Sequence, residues 1–306
     1  MSVSEQFAFS LSTELKMATA EEIMQTVNPI KSSKSYDNQW DDFINFCGIS
    51  EEPNEEDFIK YFHHLGEVRK YASSSLWSKY SMINHKYQTL HGHKLQKFPR
   101  VTLLLKKFEA GYKRKKASIF TKDHIMQFLN DAPDDGEYVH IKAGVVVAYF
   151  GGLRCADLVG INCEDLEFNE NTGMWVTYTI SKQRGESINN KFNIPLQFCS
   201  YLETYDNALH RCNAGSGRFM KTYRVNKNCE GFYTRQPMGK NFLAKFTVKM
   251  ANFLNLPNPE TYSGHAIRRS SASIMAEAGT STSQLKKHFY WKTEATSLKY
   301  IENSEK

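Results

Sequence analysis

The sequence lacks any long apolar run. Its longest, Ala143–Phe150 around Val145, Val146 and Val147, is far short of the ~18 residues that span a bilayer, and the N-terminus has no basic-then-apolar signal pattern. The expectation is an intracellular protein with no membrane partner, nuclear if the source is eukaryotic and cytoplasmic if it is not. Cysteine is scarce as well. The six, at 47, 155, 163, 199, 212 and 229, form no C-x-x-C and no Cys/His quartet at ligand spacing, which argues against both a zinc site and a disulfide framework. The His63-His64 and His91-x-His93 pairs lack a carboxylate or thiol at a spacing that would complete a metal site. Neither a metal nor another cofactor is expected. At 306 residues, 41% hydrophobic and 24% charged, the chain suits two globular domains.

Charge is informative once it is located. The net charge is +6, yet Lys94–Lys116 holds nine Lys and Arg against Glu109 alone, and Arg218–Lys249 holds eight against Glu230 alone. The rest of the chain is therefore acidic. Two basic blocks, interleaved with Phe98, Phe108 and Tyr112 and with Phe219, Tyr223, Phe232 and Tyr233, form the footprint of a clamp on nucleic-acid phosphates. Within them Lys106, Lys107, Lys113, Arg114, Lys115, Lys116, Lys240 and Lys245 are the candidate DNA contacts. Either block alone reads equally as a solvated helix face.

Helical periodicity organises the first third. Residues 1–30 read as an arm with a short helix over Thr19–Val27, capped by Thr19 with Glu22 three on. A helix from about Ser33 to Cys47 places Tyr36, Trp40, Phe43, Ile44 and Cys47 on one stripe. Others follow at 54–65, 75–90 and after Pro99, giving a helical bundle over 31–112 and a basic linker over 113–118. A second domain over 119–306 opens with an N-cap at Thr121 and an apolar helix over Glu137–Phe150, ended by Gly151-Gly152. Met174–Ile180 and Lys191–Pro195 are rich in β-branched and aromatic residues and read as paired strands. Helices are expected again at about 196–210, 239–254, 265–278, 283–290 and 293–300. The fold class is mainly α with a small β-hairpin or sheet.

The chemistry-bearing residues gather in two places. Ser263-Gly-His-Ala-Ile-Arg sets His265 and Arg268 three apart, on one face of a helical turn. Trp291 lies nine residues before Tyr300. Phenols ionise near pH 10, so a tyrosine nucleophile needs neighbours that favour its deprotonation or stabilise charge at the reacting centre. Arginines do the latter for phosphate, holding two oxygens bidentately at any working pH. A second Arg stands upstream in Gly152-Leu153-Arg154, with Asp157 three residues on. Each of these short motifs occurs commonly by chance; their order and spacing together carry the information.

Gly-Leu-Arg with an acidic residue three on, then His-x-x-Arg, then Trp nine before Tyr, resembles the tyrosine recombinases, the DNA-breaking and rejoining integrases of phages and mobile elements. Trp291, where many members carry His, is similar to the Cre- and Flp-like branch, and Crypton-type mobile-element recombinases are possible relatives. The resemblance spans about Thr121–Tyr300 and implies a helical core-binding domain followed by a catalytic domain. It implies that Tyr300 attacks a phosphodiester, that Arg154 and Arg268 bind its non-bridging oxygens, and that His265 manages the nucleophile's proton. Trp291 would hydrogen-bond the phosphate or pack the pocket, and Asp157 would hold the site together. A lysine on the β-hairpin would serve as general acid; Lys182 matches best, with Arg184 and Lys191 as rivals. The implied partner is double-stranded DNA bearing specific sites, gripped by a homotetramer. A domesticated DNA-binding protein without catalysis and a type IB topoisomerase are the alternatives.

Overall fold

The structure is a computed structural model that describes residues 30–49, 51–112, 117–181, 187–228 and 230–304. The arm helix expected over Thr19–Val27 and the basic linker at 113–116 lie outside the described residues. The chain divides into two compact units, Met1–Arg114 and Lys115–Lys306.

The described part of the first unit is built from four helices, α1 (Ile30–Cys47), α2 (Glu55–His63), α3 (Ser73–His91) and α4 (Pro99–Glu109). Asn54 starts α2, because its side chain accepts from the N–H groups of Glu56 and Asp57 while the Asp57 carboxylate accepts from Asn54 N–H, satisfying donors that a helix start leaves orphaned. Phe43 of α1 stacks on Phe58 of α2 at 4.7 Å, and Phe62, Leu76, Ile83 and Leu105 are fully or nearly fully buried around that pair. The expected apolar stripes are the ones that pack. The second helix departs from expectation at its end, where the chain widens into a π-helical turn over His64–Val68. Gly66 in that turn meets the Phe108 ring of α4, which a Cβ would strike at 2.3 Å. Tyr61 is fully buried, and its hydroxyl accepts from Gln39 and donates to Asp42, which also pairs with Arg69.

The second unit wraps around α6. Its elements in order are α5 (Lys122–Asp131), α6 (Tyr138–Phe150), α7 (Cys155–Gly160), β1 (Leu166–Asn169), β2 (Gly173–Ser181), β3 (Ser187–Ile194), α8 (Cys199–Arg211), β4 (Lys221–Val225) and β5 (Gly231–Pro237). They continue with α9 (Lys240–Leu243), α10 (Phe246–Phe253), α11 (Ala266–Glu277), α12 (Thr282–Phe289) and α13 (Glu294–Ser304). Every residue of α6 from Val139 to Val147 is buried, as a helix apolar all round must be. Two polar side chains go in with it. Lys142 places its ammonium 2.7 Å from Asp134 and over the Tyr201 ring. His140 lies 3.3 Å from the Tyr233 hydroxyl, and burial, then the charge of Lys249, push it down to about 3.

The sheets are both antiparallel, β1-β2-β3 and β4-β5. In the first, Val176 pairs with Phe192 and Tyr178 with Asn190, and these four side chains are buried; pleating therefore turns Thr177 and Lys191 to the opposite face. The mainly helical class with a small sheet is borne out. Strands β1, β4 and β5 were not expected, and the helix anticipated over 239–254 is broken into α9 and α10. At the break the Thr247 hydroxyl bonds the carbonyls of Ala244 and Tyr262. A separate small apolar cluster joins α11, α12 and α13 through Ala272, Ala276, Leu285 and Phe289, with Trp291, Tyr300 and Ile301 against it.

Candidate active site

The C-terminal end of α6 begins the site. Gly152 has φ +54, and a Cβ there would lie 2.3 Å from the Phe289 ring, so only glycine serves the turn on both counts. Arg154 follows at the N-cap of α7. The Asp157 carboxylate accepts from Arg154 N–H at 3.1 Å and stands 3.7 Å from its guanidinium, fixing the segment from within. The Arg154 side chain remains 41% exposed and free to meet a ligand.

Arg268 is held differently. It is 9% exposed, and its two terminal nitrogens donate to the carbonyls of Gly152 and Phe289, with the guanidinium 5.2 Å from the Phe289 ring centre. It therefore clasps the Arg154 turn to the α12–α13 connection. Burial, and then the neighbouring charge of Arg154, push Arg268 down to about 10, while Asp157, Tyr178 and Tyr300 oppose that shift. The group stays charged at neutral pH. His265 is exposed at the start of the same helix. Around it Gly264 packs so closely that a Cβ would meet Ala244 at 2.8 Å and Cys155 Sγ at 2.9 Å, and the Cys155 thiol donates to the Gly264 carbonyl. The two motif segments thus touch directly. Ser270 and Ser271 anchor α11 further, the first accepting from Phe120 N–H and the second donating to the Tyr149 carbonyl.

Tyr300 completes the group from α13. Its ring stacks on Trp291 at 5.1 Å and 7°, and Trp291 stacks in turn on Phe289 at 4.8 Å and 15°. Of the two roles open to Trp291, packing is the one visible. Between Phe289 and Trp291 sits Tyr290, in the left-handed conformation at φ +52. Such a backbone costs a bulky residue roughly 1–2 kcal/mol. His288 is half-buried, and burial followed by the charge of Arg268 hold it below the usual histidine range; its Nε2 has no protein partner.

The three-stranded sheet closes another side. Tyr178 of β2 is buried near Asp157 and Arg268, and burial above all pushes it up to about 12. Lys191 of β3 holds its ammonium 2.7 Å from Glu167 and over the Trp175 ring. Lys182 and Arg184 lie outside the described residues. So do Lys113, Arg114, Lys115 and Lys116, whereas Lys106, Lys107, Lys240 and Lys245 are all exposed. The second basic block is not one continuous charged face. Lys221 is buried against the Ser216 carbonyl, Lys249 pairs with Glu137, and Arg218 donates to the Gly160 carbonyl. Among the described residues no cluster of His, Cys, Asp or Glu could hold a metal ion, and no helix is long and apolar enough to cross a membrane.

Sequence reasoning brought together Arg154, Asp157, Lys182, His265, Arg268, Trp291 and Tyr300; the structure gathers Arg154, Asp157, Arg268, Trp291 and Tyr300 around Arg268 and Phe289 and leaves His265 exposed at the start of α11, while Lys182 lies outside the described residues. It missed Tyr178, His288 and the two anchoring serines. Only strand alternation could have flagged Tyr178, and nothing local marks the others.

No curated sequence matches the chain significantly. The Tn1549 transposon integrase in complex with circular intermediate DNA aligns with a TM-score of 0.60 at 15% identity, covering 92% of each chain. A lambda integrase dimer bound to a COC′ core site aligns at 0.54 and 15% identity, again over 92% of each. At such identities the likeness establishes the fold, mixed and mainly helical. The sequence model of the phage integrase family matches residues 118–306, and a match over more than half of the chain decides the matter: the chain belongs to the phage integrase family of tyrosine recombinases.

Proposed function

We propose that this protein is a site-specific DNA recombinase that cuts and rejoins DNA through a covalent tyrosine intermediate. The observation that carries the reading is the convergence on Arg268: a buried guanidinium that holds the Gly152 carbonyl, two residues before Arg154, and stands over the Phe289 ring, on which Trp291 and then Tyr300 stack. Two cations beside one phenol suit a phosphodiester, because preformed donors at the non-bridging oxygens stabilise the charge that builds in the transition state. The Tyr300 oxygen attacks phosphorus, the bond to the 5′-oxygen breaks, and a 3′-phosphotyrosyl link forms. His265 takes the phenol's proton and Lys182 gives one to the departing 5′-oxygen. Attack by a 5′-hydroxyl reverses the sequence, and since the bond energy is retained in the phosphotyrosyl ester no nucleotide is consumed. Val176 and Tyr178 face inward from β2. Duplex DNA with specific sites is the partner; exchange of strands between two sites calls for four copies. The helical unit up to residue 112, with Lys106 and Lys107 exposed, supplies further grip on the backbone.

The test uses a duplex enriched from a random pool by the protein itself, with a bridging 5′-sulfur at the mapped cleavage point. Sulfur leaves without a proton. Lys182→Ala should be slower by about 10²–10⁴ on ordinary DNA, the range for general acid catalysis, and nearly restored on the sulfur strand. Arg154→Ala and Arg268→Ala should remain slow on both. Rescue of Arg184→Ala or Lys191→Ala instead would move the acid; rescue of none would remove it from the hairpin.

A further inference from the structure

The chemistry above leaves unused a cleft beside it. It runs between the inner side of the three-stranded sheet and α12, lined by Gly151, Tyr178, Gln284, Lys287, His288 and Tyr290, with Lys191 at its edge. Gly151 immediately precedes Gly152, whose carbonyl Arg268 grips, so the cleft adjoins the place proposed for the scissile phosphate.

Tyr290 is the informative residue. Among the described residues five other than glycine have positive φ, and three of them are asparagines, whose short polar side chains tolerate the left-handed region. A tyrosine gains no such relief, and glycine would end α12 in the same geometry without strain. What glycine could not supply is the ring. Tyr290 is 39% exposed, and its phenol is close enough to Tyr178 to add to the rise caused there by burial. The strained cap thus delivers a phenol to the cleft, where strain of this kind is more often kept at ligand sites than elsewhere. Lys287 adds an exposed ammonium. His288 adds a buried ring nitrogen without a protein partner. No carboxylate lines the cleft, and Lys191 at its edge is already matched by Glu167.

A hydroxyl donor and an ammonium in an acid-free cleft suit an anion with oxygen acceptors. On DNA the nearest such group is the next phosphate of the strand. We infer that this cleft is a second phosphate subsite, in which Lys287 and Tyr290 hold the phosphodiester adjacent to the one Tyr300 attacks. The inference rests on the recombinase reading, and deepens it by fixing where the cut strand is held.

Ethylation interference tests it on the full-length protein, using the enriched duplex nicked beside the cleavage point. With wild type, ethylating either the scissile or one adjacent phosphate should suppress the covalent adduct. Lys287→Ala and Tyr290→Phe should each bind unmodified duplex several-fold more weakly and lose the interference at the adjacent phosphate alone. Tyr290→Gly should share that defect while melting no lower than wild type, because its backbone is relieved. An interference pattern identical in all four proteins overturns the subsite. So does a Tyr290→Gly variant that melts well below wild type when Tyr290→Phe binds normally, for Tyr290 would then be a packing residue. Wild type that forms no adduct on any duplex fails the recombinase reading itself, a result distinct from an adduct whose interference pattern never changes.

Discussion

Arg154 and Arg268 are assigned the same chemistry and are held in opposite ways, so alanine at the two positions should separate catalysis from stability. Arg268 donates to the carbonyls of two buried residues, Gly152 and Phe289. Leaving a buried acceptor unpaired costs about 1–3 kcal/mol. Removing the guanidinium also removes the penalty of burying its charge, which offsets part of that loss. The net expectation for Arg268→Ala is about 2–4 kcal/mol, or a fall in Tm of roughly 5–15 °C for a unit of this size. Arg154→Ala loses an exposed ion pair at 3.7 Å, worth at most about 1 kcal/mol. It keeps the backbone bond to Asp157 that caps α7. Its Tm should move by less than about 4 °C. Both variants should form adduct at least about 10²-fold more slowly, as when a transition-state donor is lost. Scanning calorimetry and single-turnover cleavage read the two effects separately. An Arg268→Ala protein that melts as high as Arg154→Ala would refute the clasp.

Trp291→Ala removes ring stacks on both Phe289 and Tyr300. At about 0.5–1.5 kcal/mol each, that should slow adduct formation roughly 5–150-fold. Trp291→Phe should retain most of the rate; equal loss in both would make the indole N–H, not the stack, the working part. His140 is held neutral at about 3, so the unfolded chain takes up a proton first as pH falls. Its stabilisation is complete above pH ~6.5 and is lost as pH falls towards 3, at about 1.4 kcal/mol per pH unit. Between pH 7.5 and 5.0 the second unit should lose about 2 kcal/mol from this group, and His140→Leu should flatten the decline in Tm; an undiminished decline would place the acid sensitivity elsewhere.

Much of the fold was legible because it follows a period. The Trp40, Phe43 and Ile44 stripe, the cap at Thr121 and the apolar run that became α6 each announce themselves within one or two turns. Arg154, Arg268 and Tyr300 were legible from spacing, although more than a hundred residues separate the first from the last. The hairpin β4-β5 was not. Its Lys221, Arg224 and Arg235 read as charge, while the alternation that sends Tyr223 and Tyr233 towards each other spans too few residues to outweigh it. Its one buried lysine is satisfied by a carbonyl, a partner no sequence pattern marks. The same limit hid the π-helical turn at His64–Val68, whose Gly66 meets Phe108 forty-two positions away. It also hid Tyr178 and His288, which belong to the site only because sheet and helix meet there. Tyr290 ran against the local rule, since a helix C-cap at positive φ favours glycine. That violation became informative only once its φ was known.

The central claim is that Tyr300 becomes covalently joined to DNA. The most direct measurement incubates the protein with nicked duplex, denatures the mixture in SDS and looks for protein-linked strand, comparing wild type with Tyr300→Phe. Wild type should yield an adduct whose DNA-linked peptide contains Tyr300, and Tyr300→Phe should bind the duplex almost as well and yield none. An adduct that persists in Tyr300→Phe, with Tyr290 or Tyr262 carrying the strand, would contradict the account.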